Sequence, residues 1–171
     1  MIGSPIEEEG MEQRDKERLI WNLKSLPHEL EDLLKPLDEE TMKWRPIPHK
    51  WSIKEILCHL RDMERLAYLD RYRRIVEEEN PHLTNIDQNR LAHENDYINQ
   101  DTRQAFEDFK SLRGQTVDTL TALPVQSWQR VGVHEADGPM TIEQLVTRQI
   151  KTNDLNHMVQ MKDIIRLKMP W

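Results

Sequence analysis

Apolar residues recur along most of this chain at three- and four-residue intervals, the spacing of one face of an α-helix. Leu19, Ile20, Leu23 and Leu26 start the pattern, and Leu30, Leu33, Leu34 and Leu37 continue it, so a first helix is expected from about Glu12. Pro27 should kink or divide it, because proline lacks an amide hydrogen and crowds the preceding turn. Pro36 and the connector from Arg45 to Lys50 should end it. The second helix has the clearest start: Ser52 and Glu55 form a capping box, with Trp51 and Ile56 placed as its hydrophobic staple. Its inward stripe is Ile53, Ile56, Leu57, Leu60, Met63 and Ala67, with Leu69 a further candidate, and it is expected to run to about Glu78.

Residues 80–100 keep no steady period and are too many for a tight turn, so they read as a crossover that makes helices two and three parallel. The third helix is expected from Asp101, with Gln104 completing a second capping-box pattern, through Phe106, Phe109, Leu112, Val117, Leu120 and Leu123 to a stop at Pro124. After a loop carrying the Asp137-Gly138-Pro139 turn signal, Thr141 and Gln144 form a third capping box, and a fourth helix follows to about Lys168. No strand pattern is evident. The expected fold class is all-α: a four-helix bundle with a long crossover between helices two and three. Residues 1–11 read as a disordered acidic tail, and 12–171 as a single domain.

Composition narrows the possible functions. A chain of 171 residues with five glycines and 32% charged residues suits one helical domain. The net charge of −7 argues against a nucleic-acid surface and weakly against an anionic membrane. No apolar run approaches the roughly 18 residues of a membrane span. A single cysteine, Cys58, allows no intrachain disulfide, which makes a reducing cytoplasm the expected location.

The inward stripe of helix four, Ile142, Leu145, Val146 and Ile150, extends by its own spacing onto Asn153 and His157 before returning to Met161, Ile164 and Ile165. These two polar residues interrupt an apolar seam one turn apart. His59 lies beside Ile56, Leu60 and Met63 near the inward face of helix two. If the two helices are neighbours, three side chains can meet in the interior, a common way to build a three-ligand metal site in a bundle. Spacing alone leaves a second reading open: histidine hydrogen-bonded to asparagine as a satisfied polar pair in the core.

The run from Arg45 to Glu64, RPIPHKWSIKEILCHLRDME, resembles the signature of the DinB/YfiT-like superfamily. GPMTIEQL at 138–145 and NDLNHMVQ at 153–160 are similar to its helix-four blocks, and Tyr97, Phe109, Arg113, Leu120 and Trp128 match more loosely. The resemblance implies the bundle of a metal-dependent hydrolase or thiol S-transferase, usually with one metal-binding histidine on helix two and two on helix four. The first maps onto His59 and the last onto His157. The middle one maps onto Asn153, where the chain departs from the pattern, since a neutral carboxamide is a weak donor to zinc, nickel or manganese. Asp154 or Glu64 are the carboxylates that would compensate.

Two functions are therefore expected to compete. One is an enzyme in which His59, Asn153 and His157 hold a divalent metal that activates water or a thiol toward a small-molecule substrate. The other is a non-catalytic bundle that has lost its metal and binds a small molecule or serves as a dimeric scaffold. A homodimer is the expected assembly, from the family likeness. Cys58, about 100° around the helix from His59, reads as a packing residue rather than a nucleophile. His134 reads as a surface histidine, with a pocket role as the alternative. Asp62 and Glu64 read as surface or connector ion-pair residues, with Arg45 or Lys50 as partners, and Trp44, Trp51 and Trp128 as packing anchors.

Overall fold

The capping box at Ser52 is made as its sequence requires. The Ser52 hydroxyl accepts from the Glu55 amide, and the Glu55 carboxylate accepts from the Ser52 amide at 2.9 Å. The computed structural model describes residues 11–169, so the proposed tail and the terminal Pro170-Trp171 lie almost wholly outside the described residues. Within them four helical rods pack together. The first is α1 (Gln13–Leu34); a short α2 (Glu39–Lys43) follows it. The second rod is α3 (Ile53–Met63), a π-helical turn (Glu64–Leu69) and α4 (Asp70–Glu77). The crossover holds α5 (Gln88–Glu94), and the third rod is α6 (Thr102–Ala122). The fourth is α7 (Ile142–Arg148), a second π-helical turn (Gln149–Asp154) and α8 (Leu155–Lys168).

The apolar stripes form two stacked core clusters. Leu26, Leu30, Ile56, Leu60, Phe109 and Met161 share one; Leu23, Ala67, Ile75, Leu120, Trp128 and Val146 share the other. Each leucine, isoleucine, valine, phenylalanine or methionine among them, fully buried, contributes about 1.5–3 kcal/mol. The second and third rods pass from the first cluster to the second as their numbering rises, so they run parallel, as the long crossover predicted. The first and fourth rods run the other way.

Pro27 does not divide α1. Proline at 27 leaves the carbonyl of Leu23 without its usual helical donor. The buried Arg113 guanidinium donates to that oxygen instead, at 3.2 Å, so a tertiary contact fills the gap. The box expected at Asp101 is only half made. Asp101 accepts from the Gln104 amide, but the Gln104 side chain turns forward to Asp108.

Strands are present where none was expected. β1 (His82–Leu83) pairs in parallel with β2 (Val131–His134), which forms an antiparallel hairpin with β3 (Gly138–Thr141). Elements of two to four residues carry too little alternation to be legible, and β1 meets β2 across about fifty positions of chain. Gly138 takes a φ of 75°, the left-handed conformation the hairpin turn needs. This small sheet matters because it carries His134 to the side of the bundle. Gly132 is where it seats on the second rod: a Cβ there would stand 2.7 Å from Leu83 Cδ1 and 2.9 Å from Ile75 Cγ1. Gly132→Ala should therefore cost about 1–3 kcal/mol through overpacking, measurable as a lower denaturant midpoint. A midpoint equal to the parent's would show that the sheet is loosely seated.

Asp62 and Glu64 are not surface residues; both are fully buried. Asp62 accepts from Arg61, Arg65, Asn95 and the Tyr97 hydroxyl, which ties the crossover to α3. Glu64 pairs with Arg113, while Arg45 pairs with Glu55. Cys58 is sealed in the core, its thiol directed at the Tyr97 carbonyl, and burial pushes its pKa up to about 11. That is unsuited to nucleophilic work.

Candidate metal centre

His59 and His157 reach each other from antiparallel rods. Their ring centroids are 4.6 Å apart in an edge-to-face arrangement, and Trp51 covers both, 4.9 Å from His59 and 6.3 Å from His157. His59 is fully buried, and neither of its ring nitrogens has a hydrogen-bond partner among the described residues. An unpaired buried polar group costs about 1–3 kcal/mol, so this ring is held at an energetic cost to the apo fold.

Asn153 is 5% exposed and belongs to the second π-helical turn. Its amide nitrogen donates to Asp154 Oδ1 at 3.1 Å, so its carbonyl oxygen is free of that contact. The carboxamide favours the protonated form of His59, although no bond of ordinary geometry joins them. The two side chains are neighbours rather than a bonded pair.

Both imidazoles are neutral near pH 7. Burial, reinforced by His157, drives the His59 pKa down to about 3, and burial lowers that of His157 as well. Neutral imidazole is the metal-ligating form. His157 Nδ1 lies 3.1 Å from Gln160 Oε1. An amide oxygen can only accept, so Nδ1 carries the proton and Nε2 keeps its lone pair.

Among the described residues no three His, Cys, Asp or Glu side chains converge as a ligand set. The carboxylates that might have replaced the missing imidazole are already committed. Glu64 and Asp154 both bind Arg113, Asp154 through two parallel bonds of 2.8 and 3.0 Å. Gln149 joins this network by donating to Glu64 at 2.9 Å, linking the two π-helical turns directly. Such turns are frequent at functional sites because they re-aim side chains within a helix. The residues present thus fit a weakly held divalent ion: two imidazoles, one with both nitrogens orphaned, and a poor third donor.

A cleft of about 270 Å³ opens beside this pair, with Tyr68, Arg71, His134, Arg148, Asn153 and His157 in its walls. His134 is therefore not a plain surface residue; it is 3% exposed. Its Nδ1 stands 2.8 Å from Asp137 Oδ2, with the amides of Ala136 and Asp137 at 3.3 Å. Both amides donate to that Nδ1, so it is the acceptor and the neutral ring carries its proton on Nε2. Burial and the nearby Arg71 lower the His134 pKa. Arg71 was missed in the sequence, although the ladder His59, Met63, Ala67 lands on it after four more residues. Arg148 carried no comparable signal. A wider groove of about 1020 Å³ runs past α2 and the start of α6. It holds no histidine or cysteine, and its Lys54 is already paired with Glu39, so the chemistry is assigned to the smaller cleft.

The fold is shared with a protein of known structure. YfiT from Bacillus subtilis, described as a probable metal-dependent hydrolase with an unusual four-helix bundle topology, superposes with a TM-score of 0.85 at 19% identity. The match covers 99% of this chain and 96% of that one. No curated protein matches the chain by sequence. A family model described as the DinB superfamily matches residues 22–151, a span that includes His59 and stops just short of Asn153. The chain belongs to the DinB superfamily.

Proposed function

We propose that this protein is a metal-dependent hydrolase or thiol transferase whose metal site is partly degraded. His59 and His157 hold a divalent ion (zinc, nickel or manganese), and the Asn153 carboxamide is the third and poorest donor. The observation that carries this reading is the buried, neutral, edge-to-face imidazole pair, in which both nitrogens of His59 lack a partner among the described residues. The likeness to YfiT, described as metal-dependent, supports it. Bound there, such an ion would supply Lewis acidity that lowers the pKa of a water or thiol. The chain's own residues do the rest. Gln160 fixes the His157 tautomer, Trp51 keeps bulk water from the ring pair, and the cleft admits a small molecule from the side of His134 and Arg148.

A second reading, a bundle that has lost its metal, is favoured by one observation. The Asn153 amide nitrogen is anchored on Asp154 and its carboxamide lies against the His59 ring, an arrangement that also suits a plain polar core. Elemental analysis of untagged protein purified without chelator separates the two. We expect zinc, nickel or manganese to be present or taken up with a defined stoichiometry, and to be lost in His157→Ala. Metal-free protein whose melting temperature ignores added zinc, nickel and manganese would sink the metal reading.

A further inference from the structure

Arg71 is a buried cation without an anion. It is 8% exposed and forms no ion pair among the described residues; its one hydrogen bond is a 2.7 Å donation to the Thr84 carbonyl. A guanidinium has five N–H groups, so most of its donor capacity is unspent. Burying an unpaired charge is costly, and native proteins place one where a ligand completes it. Arg71 also lines the cleft beside His157, as does Arg148, and no carboxylate is among the lining residues. The nearby carboxylates are exposed and engaged with other groups. Asp137 binds Arg148 and His134, and Glu135 accepts from the Asn85 amide at 2.8 Å. The cleft therefore presents a net positive lining in a protein of net charge −7.

We propose that this cleft receives a small anionic molecule, its carboxylate or phosphate oxygens bound by the Arg71 guanidinium with Arg148 as second donor. Planar guanidinium forks match both oxyanions, often through two bonds at once. An anion seated there has the rest of its body directed along the wall that carries Asn153 and His157. This names the substrate class of the proposed metal site and, for its role in turnover, rests on that reading; binding of the anion itself does not. A purely structural role for Arg71, as a strut to the Thr84 carbonyl, is the competing explanation.

Arg71→Gln separates the two, because glutamine keeps an N–H donor for Thr84 and removes the charge. The full chain, chelator-treated and dialysed, is titrated with succinate, with inorganic phosphate and with uncharged succinamide, following the side-chain N–H resonances of Arg71 and Arg148. We expect saturable shifts with succinate or phosphate, the better of the two naming the oxyanion, and none with succinamide. Arg71→Gln should weaken binding at least about tenfold while melting like the parent. Absence of saturation with either anion in the millimolar range, an equal response to succinamide, or parental binding by folded Arg71→Gln overturns the inference. Should Arg71→Gln melt early, Arg148→Gln gives the same reading from the opposite wall. Zinc uptake is measured on separate aliquots of the same proteins. Zinc binding without anion binding overturns this inference alone, and anion binding without zinc binding overturns the metal reading alone.

Discussion

Arg113→Met should destabilise the protein by about 3–5 kcal/mol, the largest single-residue effect expected in this fold. Arg113 is 1% exposed and holds four acceptors from three rods: Glu64, both oxygens of Asp154, and the Leu23 carbonyl orphaned by Pro27. Methionine is an unbranched apolar side chain, shorter than arginine, and offers no donor. Removing the guanidinium leaves two carboxylates buried together and a bare carbonyl in the middle of α1. Burial already raises the Glu64 pKa despite the arginine beside it, so in the variant at least one carboxyl would have to take up a proton. Urea unfolding should show the loss. A triple variant, Arg113→Met with Glu64→Gln and Asp154→Asn, should recover part of it, because neutral amides remove the repulsion. A single variant within about 0.5 kcal/mol of the parent would refute the account of Arg113 as the centre of the core. So would a triple variant less stable than the single one.

Asn153→His should raise zinc affinity by at least about tenfold, or about 1.4 kcal/mol, because it exchanges a neutral carboxamide oxygen for an imidazole nitrogen. The position is one turn before His157 and beside His59, so the new ring can join the existing pair without moving a rod. Competition with a chromophoric chelator measures the gain, and the same titration of Asn153→His with His59→Ala checks that the third ring is needed. Unchanged zinc affinity in a folded Asn153→His protein would mean that position 153 does not share a metal site with the two histidines. The two variants then bracket the proposed site: His157→Ala should abolish metal binding, and Asn153→His should strengthen it.

How far the sequence could be read depended on the range of the interactions. The capping boxes at Ser52 and Thr141 were legible because each closes within four residues. The four apolar stripes were legible because a helix repeats its face every turn. The positions of His59, Asn153 and His157 on those stripes followed from the same period, and the likeness to a known family named what such positions can hold. Glu64 and Asp62 were misread because charge suggests solvent, and two of the groups that hold them in the core, Arg113 on Glu64 and the Tyr97 hydroxyl on Asp62, come from 49 and 35 residues away. Pro27 misled for a related reason: its broken hydrogen bond is repaired by a side chain ninety residues distant.

From local periodicity and capping chemistry alone, this chain determined its helices, their amphipathic faces and the crossover that makes two of them parallel. Tertiary structure alone decided that His59 keeps both nitrogens unpaired among the described residues, and that Glu64 and Asp154 are bound to Arg113. It also decided that β1, β2 and β3 bring His134 to a cleft where Arg71 has no counter-charge among the described residues. The division has a physical basis. Backbone hydrogen bonds and helical faces are set by neighbours within a turn or two. The cost of burying a charge or an imidazole depends on whatever distant side chain the packed rods place beside it.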